Sequence, residues 1–220
     1  MVSVDETLDR LGALYGEPQH TPSGAPLAEL VLTVLSQNTA DTNSGRAFVQ
    51  LLRRYASWED VAAAPVEDVI ATIQNGGLAQ QKGPRIQAIL RAVQERSPGW
   101  DLSFLAELPL EEARAWLRAL PGVGPKTAAC VLLFALGLPA MPVDTHVERV
   151  AKRLELIPAK ATPEQAHVLL EALVAPEQYY RFHMLFIKHG RRLCKARGPL
   201  CGACPLREEC PFAAAMQAAP

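Results

Sequence analysis

A lysine stands directly after a compact turn in the middle of the chain, a position from which an amine can do chemistry. Residues 120–128 read LPGVGPKTA, so two glycines and two prolines precede Lys126 and an apolar segment follows it. Glycine permits positive φ and leaves no Cβ between backbone and ligand, and Pro125 suits the first position of a helix. We therefore predict two helices joined by a tight turn over about residues 113–136, with backbone amides that can bind a phosphate. The turn residues expected to face the phosphate are Gly122, Val123 and Gly124.

The predicted position of Lys126 is unfavourable for a protonated amine. The N-terminus of a helix carries partial positive charge, which disfavours the ammonium form and should lower the pKa of the lysine, as would partial burial. A lysine whose pKa is lowered can act as a nucleophile. A lysine that contacts phosphate or solvent is the alternative interpretation of the same position.

A carboxylate follows eighteen residues later, in the segment PVDTHV over residues 142–147. Asp144 directly precedes a helical pattern, and aspartate is among the residues preferred at the N-cap, where it contributes about 1 kcal/mol. The sequence therefore predicts that Asp144 caps a helix. Capping is compatible with a second role as a catalytic carboxylate.

Four cysteines are spaced C-x6-C-x2-C-x5-C and could surround one metal centre. They are Cys194, Cys201, Cys204 and Cys210. Disulfides are the alternative, but they are rare in the cytoplasm, where we expect this protein because its N-terminal segment lacks the apolar stretch of a secretory signal. Ligand type alone leaves zinc and an iron–sulfur cluster both open, because four cysteines bind either.

The elements that must position these residues are helices. Apolar residues recur at spacings of three and four throughout, and the alternation typical of strands is almost absent, which predicts an all-α fold. The longest apolar run, Thr127 to Leu138, has 12 residues, fewer than the roughly 20 that span a bilayer, so we expect no membrane partner. The chain becomes proline-rich after residue 138, which favours a domain boundary there.

Charge points to nucleic acid only locally. The chain has 22 Lys and Arg against 23 Asp and Glu, for a formal charge of −1. Between Arg181 and Cys210, however, seven basic residues stand against two acidic ones. Such an excess predicts a surface that binds the phosphate backbone of DNA, and Arg191 and Arg192 are among its candidate residues.

Three of these motifs occur in this order in a known family. The LPGVGPKTA stretch, the VDTH segment and the cysteine spacing resemble the endonuclease III family of DNA glycosylases, which carry a helix-hairpin-helix motif. The resemblance covers roughly residues 20–212. It implies two helical domains separated by a cleft: a barrel domain over 22–138 and a cluster domain built from 1–21 and 139–220. It also implies that the four cysteines bind a [4Fe–4S] cluster.

The same resemblance implies a mechanism. Lys126 would attack C1′ of a nucleotide flipped out of the duplex, and Asp144 would stabilise positive charge on the sugar or help to deprotonate the lysine. The resulting imine would allow β-elimination of the strand. The implied partner is double-stranded DNA that contains damaged bases or abasic sites, bound by a monomer in the cytoplasm, associated with the nucleoid if the source is bacterial.

Further residues resemble those with which the family replaces the flipped base. The order SQNTAD departs from the commoner SAQATD, which places Asn38 rather than Gln37 at the position of the amide that fills the gap. Leu78, in the NGGL turn, resembles a second inserted side chain. His146 resembles a residue that lines the damaged-base side. An ordinary loop or a structural histidine is the alternative for each.

We predict a bifunctional glycosylase and abasic-site lyase of base excision repair that acts on oxidised pyrimidines. A mismatch-specific glycosylase, or an enzyme that mainly cleaves abasic sites, would share every motif and differ only in the base pocket. A DNA-binding protein that senses redox state through its cluster, without catalysis, is the alternative from another class. The pair Lys126 and Asp144 argues against it.

Overall fold

The computed structural model describes residues 3–218, and every regular element within them is helical. The chain forms two compact units. One spans Pro22–Leu138, and the other joins the chain before residue 22 to the chain after residue 138. The all-α fold predicted from the sequence is confirmed. Within the described residues, no helix is both long and apolar enough to cross a membrane.

Twelve α-helices occur within residues 3–218, with short 3₁₀ turns between some of them. In chain order they are α1 (Val4–Tyr15), α2 (Pro26–Ser36), α3 (Asp41–Arg54), α4 (Trp58–Ala63), α5 (Val66–Thr72), α6 (Ala79–Arg96), α7 (Leu110–Arg118), α8 (Pro125–Cys130), α9 (Thr145–Arg153), α10 (Pro163–Leu173), α11 (Tyr179–Arg192) and α12 (Pro211–Ala218).

Helix α2 lies at the centre of the Pro22–Leu138 unit. It packs against α3, α6 and α8, and it buries Leu30, Val34 and Leu35 completely. Its sequence is almost entirely apolar because other helices surround it. The position of every residue on α2 is thereby fixed relative to the start of α8.

The apolar pattern predicts a regular α-helix that continues to residue 136, but α8 does not continue in this form. It changes at Val131–Ala135 into a π-helical turn. Gly137 then ends the segment with a φ of +68°, and a Cβ at this glycine would lie 2.9 Å from Pro22 Cγ. The beginning and the end of the unit therefore meet closely, and only glycine fits there.

Helix α11 is the central helix of the other unit and packs against α1 and α9. Phe182 and Phe186 are fully buried on α11 and stack with ring centroids 3.8 Å apart. Helix α10 begins with a capping box, in which the side chains of Thr162 and Gln165 each accept a backbone amide hydrogen bond from the other residue.

Candidate active site

The candidate residues are divided between the two units. The Pro22–Leu138 unit carries Gln37, Asn38, Leu78, Gly122, Val123, Gly124 and Lys126. The other unit carries Asp144, His146, Arg191, Arg192, Cys194, Cys201, Cys204 and Cys210.

The predicted hairpin is present, with α7 and α8 joined by a turn that contains two glycines. Gly122 has a φ of +73°, and a Cβ there would lie 3.1 Å from the side chain of Arg85. Gly124 precedes α8, and a Cβ there would meet nothing within 4 Å, so its surface is open to a ligand. Val123 is buried, and its amide donates to Leu120 O at 3.2 Å. Val123 therefore closes the turn, while the glycines leave its outer surface accessible.

Lys126 lies in the first turn of α8 and is half-buried. Its neighbour Thr127 is buried and accepts a hydrogen bond at 3.3 Å from Gln37 Nε2, at the end of α2. The other end of the same amide, Gln37 Oε1, accepts from Arg85 Nη1 at 2.9 Å. Gln37 thus joins the start of α8 to the arginine that packs against Gly122.

A carboxylate that the sequence analysis did not identify lies in the electrostatic field of Lys126. Glu29 is half-buried on α2 and accepts a hydrogen bond from Thr33 Oγ1 at 3.1 Å. Burial raises the pKa of Glu29, whereas the Thr33 hydrogen bond and the charge of Lys126 act in the opposite direction. Glu29 and Thr33 are spaced by four residues and share one face of α2, and Gln37 follows at the same spacing directly after the helix. This polar stripe on an otherwise apolar helix is the signal that could have identified Glu29.

Asn38 and Leu78 lie in two loops of this unit, residues 36–40 and 74–78, which we call the insertion loops. Both residues adopt left-handed backbone conformations, with φ of 52° and 53°. Such a conformation is uncommon for a residue other than glycine, particularly for leucine. Asn38 is exposed and the Leu78 side chain is 46% exposed, so both side chains are presented to solvent.

Asp144 caps α9, as the sequence predicts. Its Oδ1 atom accepts hydrogen bonds from the amides of His146 at 2.9 Å and Val147 at 2.8 Å. Both bonds go to the same oxygen, so Oδ2 is the carboxylate oxygen that remains for other partners.

The extended segment that leads to Asp144 is held by buried side chains. The Met141 amide donates to Glu171 Oε1 at 2.8 Å, and Met141 O contacts His167 Nδ1 at 3.0 Å. The next carbonyl, Pro142 O, contacts His183 Nδ1 at 2.7 Å. A carbonyl only accepts, so both histidines carry the proton on Nδ1. No sequence pattern marks these residues, because their partners are backbone atoms.

His146 is half-buried between α9 and α11. Its Nδ1 lies 3.1 Å from Arg149 Nη2, and because a guanidinium only donates, the neutral ring carries its proton on Nε2. Burial lowers the pKa of His146, the charges of Arg149 and Arg191 act in the same direction, and Asp144 opposes them. A Cβ at Gly190 would lie 2.9 Å from His146 Cβ, so this glycine permits the close approach of the two helices.

The four predicted cysteine ligands line one small cavity of about 20 Å³. The sulfurs have polar neighbours: Arg153 Nη1 lies 3.3 Å from Cys194 Sγ, and His189 Nε2 lies 3.6 Å from Cys204 Sγ. Burial raises the pKa of the Cys204 thiol to about 11. A bound cation is therefore needed to make it a thiolate at neutral pH.

The donor set fits an iron–sulfur cluster. Within residues 3–218, no three His, Cys, Asp or Glu side chains converge as the ligands of a single ion would. The four cysteines instead surround the cavity, and an iron–sulfur cluster takes one thiolate on each of several irons. Arg153 donates to Cys194 Sγ and His189 Nε2 lies beside Cys204 Sγ, and polar neighbours of this kind tune such clusters.

The basic patch is narrower than the sequence count predicts. Arg181 is not part of it, because its guanidinium binds Asp9 at 2.9 Å and Glu17 at 2.7 Å. One of the two opposing acids, Glu209, is bound by Arg10 at 2.7 Å. The basic residues of this segment that remain exposed are Arg191, Arg192, Lys195, Arg197 and Arg207.

Two family models match this chain. The first, described as the HhH-GPD superfamily of base excision DNA repair proteins, matches residues 31–176, which include the hairpin and Asp144. The second, described as the iron–sulfur binding domain of endonuclease III, matches residues 194–210, from the first cysteine of the loop to the last.

Individual relatives give the same result. The chain is 35% identical over 195 residues to endonuclease III of Thermotoga maritima, which covers 89% of this chain and 87% of the relative. It is 34% identical over 208 residues to endonuclease III of Bacillus subtilis, covering 94% and 91%. A solved structure of a trapped endonuclease III–DNA covalent intermediate with an estranged adenine is similar at a TM-score of 0.82 and 29% identity, covering 99% of this chain and 100% of that chain.

The cap geometry predicts that Asp144 stabilises the fold through its acceptor oxygen and not through its negative charge. Asp144→Ala removes the acceptor of two amides and should lower the free energy of unfolding by about 0.5–2 kcal/mol. Asp144→Asn keeps a side-chain oxygen as acceptor and should cost less than half as much. Urea unfolding of the purified variants, followed by circular dichroism, measures both. Equal losses for the two variants would contradict a cap that works through Oδ1.

Proposed function

The chain belongs to the HhH-GPD superfamily of base excision DNA repair proteins, and we propose that it excises oxidised pyrimidines from double-stranded DNA and then cuts the strand at the abasic site. It is a DNA glycosylase and abasic-site lyase of the endonuclease III family, and its cysteine loop binds a [4Fe–4S] cluster. The observation that carries the proposal is the amine of Lys126, half-buried in the first turn after the hairpin.

Lys126 is the proposed nucleophile. Its neutral amine attacks C1′ of the extruded nucleotide, and the base leaves with the electrons of the glycosidic bond and takes up a proton. Opening of the sugar ring at O4′ then gives an imine between Nζ and C1′. The imine makes the C2′ proton acidic, and loss of that proton expels the 3′ phosphate by β-elimination. The strand is thereby cut on the 3′ side of the site.

Asp144 is the proposed carboxylate partner of this chemistry. Its Oδ1 accepts hydrogen bonds from two amides at the start of α9, which fixes the position of the carboxylate. The remaining oxygen, Oδ2, is assigned the chemical role. It stabilises positive charge on the sugar as the base leaves, or it accepts the proton of Lys126.

DNA binding is assigned to five further positions. Gly122 and Gly124 contact the phosphate backbone through the hairpin turn. We assign the gap left by the flipped base to Asn38 rather than Gln37, because both ends of the Gln37 amide already have protein partners. Leu78 enters the duplex as the second inserted side chain, and its exposed position on a left-handed residue supports this role. His146 lines the side of the damaged base.

The cysteine loop orders a basic surface beside Arg191 and Arg192. When bound, the cluster supplies a cross-link between the four cysteines, and a structural role suffices because base excision needs no electron transfer. We propose that the enzyme acts as a monomer in the cytoplasm, associated with the nucleoid if the source is bacterial, because DNA is its substrate.

Duplexes that each carry one lesion test the substrate class. We expect the purified enzyme to cut duplexes with thymine glycol or dihydrouracil at least tenfold faster than those with uracil or oxidised guanine, and also to cut an abasic-site duplex. Cleavage of the abasic duplex alone would contradict the proposal and indicate an enzyme that is only a lyase. Preference for a mismatched base would contradict it as well and indicate a mismatch glycosylase.

Borohydride reduction tests the role of Lys126. The imine with abasic DNA should be reduced to a stable protein–DNA adduct, and Lys126→Ala should form none while still binding DNA. Asp144→Asn should keep its fold and lose at least 100-fold in excision rate. Adduct formation by Lys126→Ala at the wild-type level would contradict the assignment of the nucleophile.

The basic surface predicts strong salt dependence despite the near-neutral net charge. The logarithm of the DNA association constant should fall linearly with that of the salt concentration. Replacing both Arg191 and Arg192 by Ala should reduce the slope by about 2, because each phosphate contact contributes about 1. Arg181→Gln is the matched control, since Arg181 is bound by two acids, and it should leave the slope unchanged. Equal slopes for the double variant and this control would contradict the patch.

Glu29 predicts a shift in the pH profile of the lyase. Its carboxylate charge favours the ammonium form of Lys126, so Glu29→Gln makes the neutral amine easier to form. The rise of the lyase rate with pH should therefore move to lower pH, by roughly 0.5–1 unit. Glu111→Gln, which removes a carboxylate with an 83% exposed side chain from α7, should leave the profile in place. A shift of the profile to higher pH would contradict this electrostatic effect of Glu29 on Lys126.

A further inference from the structure

A buried lysine connects the two insertion loops. Lys82 lies in the first turn of α6, only four residues after Leu78, and is 2% exposed. Its Nζ donates to Leu35 O at 2.6 Å, to Thr39 Oγ1 at 2.9 Å and to Gly76 O at 3.1 Å. An ammonium group has three hydrogens, so these three bonds use all of them.

The three acceptors belong to the segments that carry the inserted side chains. Leu35 is near the end of α2, directly before the loop with Asn38, and Thr39 is the residue after Asn38. Gly76 lies two residues before Leu78 in the other loop. Thr39 Oγ1 also donates to Gly76 O at 2.7 Å, so the two loops share both a direct bond and the ammonium group.

The loop of residues 74–78 lies close to the other insertion loop and to α3. A Cβ at Gly77 would lie 3.0 Å from Thr39 Oγ1, and a Cβ at Gly76 would lie 2.8 Å from Ala47 Cβ on α3. Displacement of one loop would therefore also displace the other or break the bonds to Lys82. The ammonium group and the Thr39–Gly76 hydrogen bond together connect the two loops.

Fold stability alone does not account for a charge at this position. Burial lowers the pKa of Lys82, which shows that the protein disfavours the charged form there. Nζ binds neutral oxygens only, so no carboxylate offsets the cost of removing the charge from water. An apolar side chain is generally the cheaper way to fill a helix interface. The charge instead gives three directional bonds at one atom.

We propose that Lys82 is a positioning residue that locks the two insertion loops together, so that Asn38 and Leu78 enter the DNA duplex in a fixed relative geometry. The proposal rests on the proposed function, because the insertion roles of Asn38 and Leu78 belong to it. It concerns base extrusion and not the chemistry at Lys126. Loss of the Lys82 ammonium group should therefore lower activity on double-stranded substrates only.

Paired substrates test this separation. Lys82→Met keeps the length of the side chain and removes its three donors. We expect its single-turnover excision rate on a duplex with one thymine glycol to fall at least tenfold. Its rate of borohydride trapping on a single-stranded oligonucleotide with one abasic site, which needs no extrusion, should stay within threefold of wild type. 2-Aminopurine opposite the lesion should show less than half of the wild-type fluorescence increase on binding.

Gln87→Leu is the matched control. Gln87 lies on the same helix, is also 2% exposed, and donates from Nε2 to Val61 O at 2.9 Å and Ala64 O at 2.8 Å. It therefore supports α4 and the turn after it, and not the insertion loops. Its loss should affect the two substrates equally. Thermal unfolding of both variants shows whether each is folded at the assay temperature.

Thr39→Val is the second variant if Lys82→Met does not fold. It removes one acceptor of Lys82 and the direct bond to Gly76, and it should lower the duplex rate severalfold without lowering trapping on the single strand. The proposal is overturned if these variants keep the wild-type duplex rate, or if they lose both activities in parallel as Gln87→Leu does. Wild-type protein that neither cuts the duplex nor forms the trapped adduct would overturn the proposed function instead.

Discussion

Both residues to which we assign chemistry lie at the start of a helix, where the first backbone amides have no partner within the helix. The resulting field is positive and acts in opposite directions on the two groups. It attracts the carboxylate of Asp144, which accepts hydrogen bonds from two of these amides, and it repels positive charge at Lys126 in the first turn of α8. A single feature of the backbone thus holds the carboxylate in place and sets the electrostatic surroundings of the amine, the two groups that the proposed reaction uses.

The loops and segments that carry the site are held by buried side chains that bond to backbone oxygens. Lys82 bonds to Leu35 O and Gly76 O, and His183 bonds to Pro142 O, two residues before Asp144. Such bonds fix irregular backbone that neither helix nor strand can satisfy. They hold the backbone next to Asn38, Leu78 and Asp144 in place.

The sequence was sufficient for the all-α fold, the hairpin, and the cap at Asp144, because each depends on residue types at short spacing. It did not reveal Lys82, His167 or His183, because most of their partners are backbone carbonyls that any residue could supply. Arg181 was counted as part of the basic patch because its partners on and after α1 are more than 160 residues away in sequence. Likewise, only the contacts of Gln37 distinguish it from Asn38, since both are amides in the same loop.

The unit that contains the cysteine loop is discontinuous in the chain, and this affects the order of events during synthesis. Arg10 on α1 binds Glu209, a residue 199 positions later. At about 5–20 residues per second, a ribosome needs on the order of 10–40 s to make the intervening polypeptide. Helix α1 is therefore synthesised long before Glu209. The Pro22–Leu138 segment, in contrast, emerges as an uninterrupted stretch that can fold as soon as it is complete. The unit that contains Lys126 could thus fold on the ribosome before the unit that contains the cysteine loop is fully synthesised.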